Sequence, residues 1–86
     1  MMTISVISPE RTLYEGEATS VVAPAFDGDV GVLTGHAPMM TLLGRGTLRV
    51  TRDTEERRFT VEGGFLQVVD DVVRIVTEQA RAEARS

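Results

Sequence analysis

The chain has 86 residues, 42% of them hydrophobic and 26% charged, with a formal net charge of −4 and no cysteine. That is enough for one domain with one modest core, and it leaves no disulfide framework and no thiolate metal site. The acidic balance argues against nucleic acid, whose phosphates demand an electropositive face, and no run approaches the roughly 18 apolar residues of a membrane-spanning helix.

Most of the chain reads as short strands between turn residues. Residues 3–8 (TISVIS) are rich in β-branched side chains and end at Pro9, which cannot donate to a ladder. Two strands follow, 12–17 and 19–23, split near Gly16 and Ala18 and closed by Pro24. Asp27-Gly28-Asp29 is a turn signal ahead of a short apolar run, 30–33. The stretch 38–43 is too short for its length to decide between a strand and a helical turn.

Gly44-Arg45-Gly46 leads into 47–52, where Leu48 and Val50 alternate with Thr47, Arg49 and Thr51. A charged turn at 53–56 returns the chain through Phe59 and Val61, so a hairpin with one wet face is predicted. Gly63-Gly64 interrupts before 65–69, as at a bulge or a tight backbone approach, and Asp70-Asp71 turns the chain into 72–77. Only 78–85 (EQARAEAR) change character, with Glu78, Arg81, Ala82 and Arg85 at helical spacing. The expected fold is all-β, a flattened antiparallel sandwich or barrel of about eight to ten strands with a short C-terminal helical piece. The sandwich domain is expected over 1–78 and the start of a helix, or a frayed tail, over 79–86. A helix that short is marginal in water and needs a surface to dock on.

The residues hold little that reads as catalysis. His36 is the only histidine, so a metal site lacks its usual second ligand. Thr34 and Thr41 lie near it but in no motif that would activate a nucleophile. With Gly35 free to take positive φ and Pro38 pre-setting its own, Gly-His-Ala-Pro is better explained as a shaped turn. Asp27 and Asp29 are too few for a calcium loop, and the glycines around them lie among strands rather than between a strand and a helix start, so they cradle no phosphate. The apolar run 30–33, with Met39, Met40, Leu42 and Leu43, reads as core or as an adaptable partner-binding edge.

Four stretches together resemble the N-terminal β-sandwich domain of the epsilon subunit of F-type ATP synthases. They are the opening ISVISPERTLYEGEATSVVAP, the turn Asp27-Gly28-Asp29 running into Val30-Gly31-Val32-Leu33, the turn Gly35-His36-Ala37-Pro38, and Gly63-Gly64-Phe65-Leu66-Gln67-Val68. They occur in family order from Ile4 to Thr77. Thr34 stands where the family usually has proline, which should loosen the turn slightly. Many members continue into a C-terminal helical hairpin that restrains ATP hydrolysis and in some binds ATP; this chain resembles the short form without it, and those roles are not carried over.

The resemblance implies a non-catalytic rotor part of the central stalk, linking the gamma subunit to the polar loops of the c-ring and so coupling proton transport to ATP synthesis. No cofactor, metal, nucleic acid, direct membrane insertion or functional homo-oligomer is implied. The implied location is the cytoplasmic side of the bacterial inner membrane, as a peripheral part of the complex. Asp27, Gly28 and Asp29 would face the c-ring loops, which in the family carry an arginine. Val32, Leu33, His36, Pro38, Met39 and Met40 would face gamma, and Gly35, Gly63 and Gly64 would be structural turns. A biotinyl or lipoyl carrier domain is excluded because it needs a lysine and the chain has none. A free-standing β-sandwich interaction module is the competing reading, since fold does not imply function. An enzyme using His36 would need a carboxylate oriented on its imidazole.

Overall fold

Where apolar and polar residues alternate, every second side chain leaves water, and two such surfaces must meet to bury them. The structure, a computed structural model, describes residues 1–83. The strands among them are β1 (Met2–Ile7), β2 (Thr12–Ala18), β3 (Ser20–Ala25), β4 (Gly28–Leu33), β5 (Met39–Leu42), β6 (Arg45–Arg52), β7 (Glu55–Glu62), β8 (Phe65–Val69), β9 (Val72–Val76) and β10 (Gln79–Ala82). They form two five-stranded sheets, a first in the order β2-β1-β9-β8-β5 and a second in the order β10-β7-β6-β3-β4. Pairing is antiparallel except between β1 and β9, which run parallel.

The predicted hairpin is β6–β7. Leu48, Val50, Phe59 and Val61 point inward with almost no exposure, while Thr47, Arg49 and Thr51 take the other face. They join Met2, Ile4 and Val6 of β1 and Leu66 and Val68 of β8 in one core. The Tyr14 ring meets Phe59 edge-on, centroids 6.3 Å apart, and its hydroxyl donates to the Glu17 carbonyl at 2.8 Å, so β2 is pinned over the core without stranding a polar atom.

Three local expectations are settled by tertiary contacts. Pro24 does not close β3, which continues to Ala25. On the β6 side the ladder stops at Val22, so the missing proline N–H breaks no bond there, and the Pro24 carbonyl still accepts from Gly44 N at 2.7 Å. The stretch 38–43 resolves as a strand, β5, because β8 offers it an edge.

The expected C-terminal helical piece is corrected: Gln79–Ala82 form a strand that pairs antiparallel with β7. The open edge of β7 supplies a full set of ladder partners, which an eight-residue helix in water cannot match. The Glu83 carboxylate then accepts hydrogen bonds from the hydroxyls of Thr60 at 2.9 Å and Thr47 at 3.3 Å, clipping the strand to the second sheet. Residues 84–86, the rest of that predicted helix, lie outside the described residues. Glu83→Ala is expected to cost about 1–2 kcal/mol and to speed amide exchange along β10 ahead of β6 and β7, as read by hydrogen exchange.

Candidate functional site

The β3–β4 hairpin sets the acidic tip. Ala25 pairs with Gly28, leaving Phe26 and Asp27 as a two-residue turn. Asp27, Gly28 and Asp29 are all exposed, and Phe26 beside them is 67% exposed. The root of the tip is held: Phe26 N donates to the Leu42 carbonyl at 3.1 Å. The tip therefore projects two carboxylates and one phenyl ring from a fixed base.

The Gly-His-Ala-Pro turn lies at the other end of β4, about 17 Å away at ~3.4 Å per residue. It carries the chain from the second sheet to the first. Gly35 has φ +87°, the left-handed region that glycine adopts without strain, and His36 N donates to the Leu33 carbonyl at 3.1 Å. Gly35 N donates to Asp71 Oδ1 at 2.7 Å, tying this turn to the β8–β9 hairpin. His36 Nδ1 lies 2.7 Å from the Ala37 carbonyl oxygen. A carbonyl only accepts, so Nδ1 is the donor in this contact. That contact is a local one to the next residue's backbone carbonyl, not to the carboxylate that a Ser-His-Asp arrangement sets on its imidazole.

The run 32–40 does not form one face. Val32 is fully buried in the core, and Met39 is half-buried and packed against it. Leu33, 64% exposed, stands on the outer face of the second sheet, opposite Ser20. Met40, also 64% exposed, stands on the outer face of the first, opposite Gln67. Pro38 is exposed and His36 half-buried between them. The period of two along a strand sends neighbouring residues to opposite sides, and the sheet change at the turn separates them further.

Met40 belongs instead to a surface that spans β5, β8 and β9 of the first sheet. The register puts Leu42 opposite Phe65, Phe65 opposite Val76 and Val69 opposite Val72, so these side chains share Met40's outer face. Leu42 is 63% exposed, Val72 43% and Val69 42%. An antiparallel sheet with one face in the core normally turns polar residues to the other. Here β5, β8 and β9 turn apolar residues outward around Gln67 and Arg74, and the face becomes polar only at β1 and β2, with Thr3, Ser5, Glu15 and Glu17. The opposite outer face is ordinary: Arg45 pairs with Glu62 at 3.4 Å and Arg58 with Glu56 at 2.7 Å. The hydrogen bond to Glu56 holds the Arg58 guanidinium more firmly protonated than usual.

Phe65, Val69, Val72 and Val76 are contact candidates that a search for punctuated motifs misses, and they join Leu42, already part of the candidate partner-binding edge. Their signal is in the strands themselves: FLQVV and VVRIV are apolar at both parities, the mark of a strand covered on both sides. Gly63 and Gly64, at φ +72° and +101°, link β7 to β8 beside the β9–β10 crossover. A groove of about 420 Å³ between β2 and the β6–β7 turn, lined in part by Tyr14, Glu15, Arg52, Asp53, Glu55 and Arg57, mixes both signs of charge. No helix among the described residues is long and apolar enough to cross a membrane.

Residues 1–83 match the model of the ATP synthase delta/epsilon chain β-sandwich domain. The chain is 43% identical over 77 residues to the ATP synthase epsilon chain of Leptospira borgpetersenii, covering 90% of this chain and 61% of that one. It is 48% identical over 75 residues to the epsilon chain of Rhodopirellula baltica, covering 87% and 59% respectively. The chain thus spans about three fifths of the length of these curated relatives. Its fold superposes with a TM-score of 0.87 and 25% identity on a chain of the Euglena gracilis mitochondrial ATP synthase, solved as the OSCP/F1/c-ring assembly, over 94% of this chain and 52% of that one. It also superposes on a chain of the central stalk and c-ring of the Tetrahymena thermophila enzyme, with a TM-score of 0.79 at 16% identity, over 93% of this chain and 65% of that one. Ten strands in this order, matched by sequence from the first residue to the end of the described sandwich, leave one conclusion: the chain belongs to the ATP synthase delta/epsilon chain β-sandwich family.

Proposed function

We propose that this sandwich is a non-catalytic part of the ATP synthase rotor, joining the gamma subunit to the polar loops of the c-ring. The observation that carries the reading is the apolar outer face of β5, β8 and β9 in the first sheet. A lone domain gains nothing by keeping Met40, Leu42, Val69 and Val72 in water, whereas a partner of matching shape removes them from it. That face, continued by Pro38 and His36, is assigned to gamma. The tip at 27–29 is assigned to the c-ring loops, whose family arginine suits its carboxylates. A closed sandwich suits such a joint, because packed interiors transmit strain rather than absorb it. The domain then sits at the cytoplasmic side of the bacterial inner membrane, peripherally and through the ring, and takes no cofactor.

Co-expression with gamma tests this reading. An equimolar complex surviving gel filtration is expected. A folded domain that elutes alone would favour the free-standing interaction module instead.

The tip has its own test. Asp29→Arg is expected to weaken binding to the detergent-solubilised ring roughly tenfold at low salt, with less difference at high salt, because rim charges act through screened, long-range attraction. Asp29 is exposed, so the melting temperature should hold. Unchanged ring binding with normal coupling would remove the tip assignment.

A further inference from the structure

We propose that Asp71 is a positioning residue that holds the turn at 35–38 in its docking shape. The inference rests on the reading of that turn as part of the gamma-facing surface. Thr34, Gly35, Ala37 and Pro38 are exposed, and a β-carbon placed on Gly35 would meet nothing within 4 Å. A turn so little packed takes its orientation from its hydrogen bonds. One is local, from His36 N to the Leu33 carbonyl. Among the described residues, the side-chain bond that reaches it from another hairpin is the one from Gly35 N to Asp71 Oδ1, at 2.7 Å and 36 residues away in sequence. It is charge-assisted, and therefore short and directional.

Asp71 is a firm anchor. Its carbonyl accepts from Thr3 N at 2.8 Å, fixing it to the start of β1. The strands on either side of its turn carry the fully buried Val68 and Val73. Whatever the carboxylate holds is therefore fixed relative to Val69 and Val72, where the apolar face ends. The bond makes the turn and that face one surface.

The backbone argues that the side chain is kept for this purpose. Val69 pairs with Val72 across a two-residue turn in which Asp70 has φ +49° and Asp71 φ +60°. Glycine is the residue that such a primed turn favours at its second position. An aspartate there accepts left-handed strain that glycine avoids, and what it gains is an acceptor aimed at Gly35.

That opposition of effects gives the experiment. Asp71→Gly removes the acceptor while easing the backbone, and Asp71→Asn keeps an oxygen acceptor in a residue that tolerates positive φ. For Asp71→Gly the melting temperature should stay within about 3 °C of the parent, Gly35 amide exchange should rise roughly tenfold, and affinity for gamma should fall roughly tenfold. Asp71→Asn should recover both to within about threefold. The proposal is overturned if Asp71→Gly leaves Gly35 exchange unchanged, if it frees the turn without weakening a gamma complex that the parent forms, or if Asp71→Asn loses as much as Asp71→Gly. Failure of the broader reading looks different. The parent itself would not bind gamma, and Gly35 exchange in the three proteins would still decide what Asp71 does.

Discussion

Met40→Glu combined with Leu42→Glu is expected to weaken binding to gamma at least about a hundredfold while leaving the domain folded. Both side chains are almost two-thirds exposed on the edge strand β5, so in the free domain the new carboxylates remain hydrated. Charge on an edge strand also discourages unwanted strand pairing. In the complex the same carboxylates would be buried against apolar surface with no partner, at several kcal/mol for an uncompensated pair. Met39→Glu is the instructive contrast. Met39 packs against the core, so a charge there should lower stability directly and say nothing about docking. Arg49→Glu, on the charged outer face of the second sheet, should leave gamma binding intact. Co-purification followed by titration calorimetry measures all three, and persistent co-elution of the folded double variant would move the gamma surface elsewhere.

Gly64→Ala is expected to destabilise the domain by at least about 3 kcal/mol, enough to leave a small sandwich mostly unfolded or insoluble. Two costs coincide. The residue has φ +101°, outside the regions open to a side-chain-bearing residue. A β-carbon there would also overlap the Val76 carbonyl oxygen and lie 2.7 Å from Thr77 Cα, both of them backbone that cannot swing aside. The strand cannot move away either, since the Gly64 carbonyl accepts from Leu43 N at 2.9 Å and Thr77 N donates to the Ile7 carbonyl at 2.9 Å. This is the point where the chain's crossovers between the sheets, before β8 and after β9, run side by side, so closely that only hydrogen fits. Urea denaturation of Gly64→Ala beside Gly31→Ala, whose β-carbon would meet nothing within 4 Å, separates close approach from simple loss of glycine. Equal midpoints would refute the packing argument.

How far a local pattern is informative depends on what it must predict. The β6–β7 hairpin was legible because Leu48, Val50, Phe59 and Val61 alternate with polar residues, and burial on one face is all that alternation requires. The tip at 27–29 and the shaped turn around His36 were legible from glycine, proline and aspartate, whose backbone preferences act within a few residues. The strip 32–40 does not share one face, because nearness along a strand is not nearness on a face: Val32 and Leu33 are adjacent in sequence and point to opposite sides of the same sheet.

The sequence by itself determined that the chain is an all-β sandwich or barrel, where its hairpins turn, and which family it resembles, because strand period, turn chemistry and motif order are local properties. Only the tertiary structure decided that β5 docks beside β8, so that Met40 and Leu42 join Phe65, Val69, Val72 and Val76 in one apolar face. It also decided that Gln79–Ala82 extend along β7 rather than coil, and that Asp71 reaches Gly35. Each of these depends on which edge or acceptor a distant segment presents, and the free energy of pairing with that edge outweighs the small propensities that a window of residues can express.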